Sequence, residues 1–142
     1  MKINHYIDKG FKLVGFMFKP THPTNKHGVN VRFVDEASMI GKKGVYILAS
    51  EDKVMKIGET EQMYTRMKLY ENHTGVTNTF VRDSIEIGDE LSIYFIECPS
   101  FEVEFAGVKV ETGVSYKVLE KRLLDQYKQA VGNYPPLNKG RQ

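Results

Sequence analysis

Apolar and polar positions change rhythm several times along this chain, and each change predicts an element. Phe11 to Phe18 (FKLVGFMF) is almost continuously apolar and Val29 to Val34 (VNVRFV) alternates with period two, so both read as strands of a long hairpin. The connection between them, KPTHPTNKHG, consists largely of turn formers and carries His22, Lys26 and His27, which predicts an exposed loop able to touch a partner. A short helical turn is expected near Glu36 to Ile40. Gly44 to Ala49 (GVYILA) then reads as a strand, Ser50 to Lys53 as a turn, and Val54 to Gly58 (VMKIG) as the antiparallel return. Gly58 is expected to end that strand. Thr60 suits an N-cap, Glu61 favours the positive end of a helix dipole, and Met63, Met67 and Tyr70 recur at helical spacing, predicting a helix to about His73 that stops at Gly75.

The second half is read in the same way. Val76 to Glu90 is polar and irregular, and Leu91 to Cys98 (LSIYFIEC) is a strand closed by Pro99. Around a two-residue turn at Ala106-Gly107, Phe105 would oppose Val108, Glu104 would oppose Lys109, and Val103 would oppose Val110. That register gives a hairpin with one apolar face and one face carrying an opposite-charge pair. Ser115 can cap a helix through Val131, with Leu119, Leu123, Tyr127 and Val131 on one side and Gly132 as its stop. Pro135-Pro136 keeps the tail extended.

Length and composition narrow the class. A chain of 142 residues fits one domain, 1–142. It divides into an N-terminal hairpin extension (1–42), a core hairpin, helix and third strand (43–98), an inserted hairpin (99–114), and a final helix and tail (115–142). Charged residues are 27% of the chain, and no apolar run approaches the ~20 residues of a membrane span, so a globular protein with no membrane partner is expected. The lone Cys98 and an N-terminus without a long apolar core fit the cytoplasm. A net charge of +2 sets up no global field for a polyanion, so any nucleic-acid surface has to be a local patch. Lys117, Lys121 and the His22–His27 loop supply candidate basic positions, although lysines on helices are also commonly just solvated. The two histidines of that loop lack companions at metal-ligand spacing.

Between Lys43 and Asn138 the residues resemble the GIY-YIG nuclease family. Gly44-Val45-Tyr46 stands at the first tripeptide and Lys56-Ile57-Gly58 at the second, with Thr60 two residues and Arg66 eight residues beyond Gly58. Glu120, in a Leu119-Glu120 pair, matches the family's metal-binding glutamate, and Pro136-Leu137-Asn138 its terminal asparagine motif. The second motif reads KIG rather than YIG, as in a restriction-endonuclease branch and a phage-associated branch. Tyr70, one turn after Arg66, offers a second phenol. Glu59, where a basic residue is frequent, has no assigned role. The resemblance implies an α+β fold with a small antiparallel, mixed-order, three-stranded central sheet flanked by helices, to which the N-terminal and internal hairpins are additions. It implies catalytic roles for Tyr46, Lys56, Arg66, Tyr70 and Glu120, with Mg²⁺ or Mn²⁺ on Glu120, and motif roles for Gly44, Gly58, Thr60 and Asn138.

Those residue types suit phosphodiester hydrolysis, which needs an activated water, neutralisation of charge on the phosphate, and stabilisation of the departing oxygen. Tyr46 and Lys56 lie on adjacent strands whose alternation can bring them to one face, and an ammonium beside a phenol favours the phenolate. Arg66 and Tyr70, four apart on a helix, share a side on which a guanidinium fork can hold phosphate oxygens. One carboxylate suits Mg²⁺, which keeps several waters, and Asn138 suits a structural clamp. The expected activity is DNA cleavage, of restriction or phage and mobile-element type, with double-stranded DNA as partner. One site per chain makes a homodimer expected for cutting both strands. A non-catalytic DNA-binding module, a structural domain, and RNA as substrate are the competing readings. The Thr74–Asp89 segment and the Glu102–Glu111 hairpin are further candidates for groove contacts, and the acidic face of the latter favours dimerisation or a structural role.

Overall fold

The structure, a computed structural model, describes residues 1–19, 29–72, 80–81, 83–85 and 90–138. Its strands are β1 (Lys12–Phe18), β2 (Asn30–Phe33), β3 (Gly44–Ser50), β4 (Lys53–Thr60), β5 (Leu91–Glu97), β6 (Phe101–Phe105) and β7 (Val108–Thr112). The helices are α1 (Asn4–Ile7), α2 (Met63–Asn72) and α3 (Ser115–Val131), with a 3₁₀ turn at Ala37–Met39. The main sheet has five strands in the order β2-β1-β5-β3-β4, all antiparallel, rather than the three expected. The N-terminal hairpin therefore supplies two of the five strands and is not an appendage. β5 is the hinge of that result: it pairs β3 on one side (Tyr46↔Phe95) and β1 on the other (Met17↔Leu91).

Helices cover both faces. Tyr46 and Leu48 of β3 join Met17, Val31, Ile93 and Phe95 in a core roofed by Met63, Met67 and Tyr70 of α2. Val45, Ile47 and Ala49, which point the other way, pack with Val54 and Ile57 of β4 against Tyr6, Phe11 and the α3 residues Tyr116, Leu123, Leu124 and Tyr127. β3 is buried on both faces, which explains its unbroken apolar run. Each such side chain is worth roughly 1.5–3 kcal/mol of transfer free energy. The region read as irregular contains helical residues at 80–81 and 83–85, where Val81 and Ile85 complete the α2-side core. Polar neighbours hid that period.

Several boundaries shift for local reasons. β4 continues through Gly58 to Thr60, so Gly58 lies inside the strand. α2 begins at Met63, after Thr60 Oγ1 accepts the Gln62 N–H at 3.0 Å. Ser115 is the first residue of α3 rather than its cap, while Gly132 closes that helix at φ +98°, donating to the Lys128 carbonyl at 2.7 Å. The buried stripe of α3 is Tyr116, Glu120, Leu123, Leu124 and Tyr127; Val131 is exposed.

Both outer strands of the sheet have part of their backbone covered. On β2, Val31 N–H donates to Glu71 Oε2 at 2.9 Å and Val31 O accepts from Lys68 Nζ at 3.3 Å. On β4, Leu137 N–H donates to the Met55 carbonyl at 2.8 Å, and the Asn138 amide pairs with both main-chain groups of Ile57, at 2.9 and 2.8 Å. Covered edges resist pairing with other chains. β6 and β7 form a separate two-stranded sheet in the expected register, though Lys109 pairs with Glu102 at 3.8 Å, diagonally, rather than with Glu104.

Candidate active site at the open end of an edge strand

Alternation along β4 sends Lys56 and Gly58 to the α2 side and Ile57 and Glu59 to the α3 side. Tyr46 lies opposite Gly58 and Leu48 opposite Lys56, so Tyr46 and Lys56 are diagonal neighbours on one face, as alternation allows. Both are buried: Tyr46 keeps 1% of its surface exposed and Lys56 5%. Gly58 is required by close approach, because a β-carbon there would fall inside the Tyr46 ring, 2.8 Å from Cε1. Gly44 is required in the same way, since its β-carbon would strike the Ile96 carbonyl of β5. The two motif glycines thus let strand and ring pack without a gap.

Above this face α2 presents Arg66 and Tyr70. The hydroxyls of Tyr46 and Tyr70 lie 3.1 Å apart, Arg66 Nη2 donates to Tyr70 Oη at 3.4 Å, and the guanidinium carbon sits 4.8 Å from the centre of the Tyr70 ring. Burial works against the charge on Arg66. The phenols of Tyr46 and Tyr70, a hydrogen bond to Tyr46 and the carboxylate of Glu59 outweigh it, leaving the guanidinium above its ordinary range. Burial, then the neighbouring Tyr46, pushes the Tyr70 phenol well above 10, against the pull of Arg66. Tyr70 therefore keeps its proton at neutral pH and remains a donor.

Glu120 lies on the other side of the sheet. It occupies a core-facing position of α3, 5% exposed, and lines a cleft of about 340 Å³ with Glu59, Lys117, Lys121, Leu124, Asp125 and Tyr134. The connecting residue is Glu59: it lines this cleft and its charge acts on Arg66. β4 is an edge strand, and the Asn138 side-chain amide pairs with it at Ile57. Among the described residues the two faces meet around the end of β4, where Glu59 sits.

The structure brings Tyr46, Arg66 and Tyr70 into one contact group and sets Lys56 on the same face. It seats Glu120, Lys117 and Lys121 in the cleft, and Asn138 on the flank of Lys56 through Ile57. His22, Lys26 and His27 lie outside the described residues, as does most of Thr74–Asp89. Glu59 is the residue whose position a strict period-two reading from Ile57 through Gly58 supplies, once β4 is known to continue. Among the described residues, no group of three or more His, Cys, Asp or Glu side chains is placed to hold a metal by itself. Nor is any described helix long and apolar enough to cross a membrane.

No family model matches the sequence, and no curated protein does. Solved structures do match in fold. One is the restriction endonuclease HPY188I in complex with product DNA, with TM-score 0.60 and 18% identity over 100% of this chain and 87% of the other. Another is a mutant of bacteriophage T4 EndoII, with TM-score 0.68 and 12% identity over 97% and 98%. At these identities the likeness is one of fold.

Proposed function

We propose that the chain is a divalent-metal-dependent DNA endonuclease of the GIY-YIG type, in the KIG variant. The observation that carries this reading is the guanidinium of Arg66, stacked on Tyr70 and tied to the Tyr46–Tyr70 phenol pair, across one edge strand from the buried carboxylate of Glu120. The names of two proteins that share the fold, a restriction endonuclease bound to product DNA and a phage endonuclease, support the same substrate class.

In this reading Arg66 holds two oxygens of the scissile phosphate, and its fork is fixed in advance by the phenols behind it. Tyr70, kept neutral, donates its hydrogen bond to Tyr46, which is left as the acceptor of the pair. Acting as the phenolate, Tyr46 takes the proton of the attacking water and becomes the neutral phenol, with the positive charge of Lys56 on the same face stabilising the anion it starts from. Glu120 offers one hard oxygen donor that suits Mg²⁺ or Mn²⁺, the remaining positions falling to water and phosphate. A cation held there would neutralise charge on the phosphate and the departing oxygen. Lys117 and Lys121 at the cleft mouth attract the DNA backbone.

The test is incubation of supercoiled plasmid with the protein in Mg²⁺, Mn²⁺ or EDTA, beside Glu120→Ala and Tyr46→Phe. Metal-dependent nicking lost in both variants is the expected result. Binding without nicking in any metal would convert the protein into a DNA-binding module, and nicking that survives both substitutions would place the site elsewhere.

A further inference from the structure

The β6–β7 hairpin leaves the body between β5 and α3, and its neck is held firmly. Lys43 Nζ, beside the first residue of β3, hydrogen-bonds Ser100 Oγ and the Gly113 carbonyl at 3.3 Å, and lies 5.9 Å from the ring of Tyr116. Beyond that neck most of the ribbon's side chains are exposed. Cross-strand pairing puts Phe101, Val103, Phe105, Val108 and Val110 on one face, and Phe101, Phe105, Val108 and Val110 are 55%, 65%, 61% and 44% exposed. The reverse face holds Glu102, Glu104, Lys109 and Glu111. An isolated two-stranded ribbon is marginal in water, and exposed phenylalanines in a continuous row signal a contact surface.

We infer that the apolar face of this hairpin joins a second copy of the chain in a two-fold dimer. Charge selects the occupant. Four formal charges on the ribbon, three of them negative, sit on the reverse face, and no basic residue lies among the apolar row, so the ribbon repels a polyanion. The apolar row carries no charge to clash with its own image, the condition a self-complementary two-fold contact requires. Its size also fits. At ~150–250 Å² for each phenylalanine, the exposed row amounts to on the order of 400 Å², close to the apolar share of the ~800 Å² that each partner contributes to a standard interface.

Sedimentation equilibrium of the full chain, without DNA or metal, tests this independently of the proposed reaction. Twice the 16.3 kDa chain mass is expected, falling to the monomer mass in Phe101→Ser/Phe105→Ser with far-UV circular dichroism unchanged. The reverse-face variant Glu104→Gln/Glu111→Gln should remain dimeric and confirms that the ribbon itself tolerates substitution. A parent that stays monomeric to ~100 µM, far above the dissociation constants of standard-size interfaces, overturns the inference. So does a dimer that survives the serine pair. A monomeric parent whose serine variant loses affinity for a DNA duplex would assign the face to nucleic acid instead.

Discussion

The two sides of β4 solve different problems. On the α2 side, Tyr46, Lys56 and Tyr70 are buried, the phenol oxygens touch, Arg66 rests on the Tyr70 ring, and Gly58 leaves room for the ring of Tyr46. On the α3 side, Glu120 opens into a cleft with two other carboxylates and two lysines. The closed side can hold a cationic fork in one geometry with little cost of reorganisation, whereas the open side leaves room for water, cation and phosphate. A site divided in this way keeps the groups that orient apart from those that exchange ligands.

The largest effect that separates the sides is in rate. Lys56→Met and Tyr46→Phe are each expected to lower single-turnover cleavage by roughly 10²-fold while DNA binding in EDTA stays within a few-fold, the pattern of lost proton transfer. An equal loss of affinity would show that the closed side binds instead of working on the proton. Gly58→Ala comes next. It drives a β-carbon into the Tyr46 ring and should cost about 2–3 kcal/mol, read as a lower midpoint in urea with an unchanged slope. Stability at the parent level would mean that the ring moves freely and the closed side is not preorganised.

High pH gives the smallest effect and compares the two cores. The Tyr70 phenol lies well above 10 on the α2 side, and Tyr6, buried on the α3 side, is raised to about 12 by burial and then by Tyr127. Unfolding frees both to ionise near 10, so above that pH the unfolded chain holds fewer protons than the folded one. Stability is then fully present below pH 10 and is lost as pH rises through the folded values, Tyr6 alone contributing on the order of 2 kcal/mol by pH 12. Tyr6→Phe should flatten part of that loss in denaturant titrations at pH 9 to 12, and Tyr70→Phe should flatten a further part.

Legibility in the sequence followed the range of the contacts. The β3–β4 hairpin, the Ala106-Gly107 register and the one-sided Arg66 and Tyr70 are set by period and spacing within twenty-five residues, and each was readable. β1 against β5 joins segments more than seventy residues apart, and no local pattern states that pairing, so local patterning predicts a sheet two strands too small. Glu120 illustrates the same limit. Its spacing marked it for the site, while its burial between Tyr116 and Leu123 depends on which face of α3 meets the sheet. Leu119 packs against the α3-side core as expected, while Val131 turns outward. Glu59 was missed because Gly58 was read as a strand end, although the strand runs two residues further.

A Mg²⁺ titration of single-turnover cleavage, comparing Glu120→Asp with Tyr46→Phe, tests most directly whether the open side holds the cation and the closed side does not. The aspartate is expected to need at least ~10-fold more Mg²⁺ for half-maximal rate, and the phenylalanine to keep the parent's half-saturation at a lower maximum. A Glu120→Asp curve superimposed on the parent's, or a metal requirement shifted by Tyr46→Phe, would contradict the division of the site.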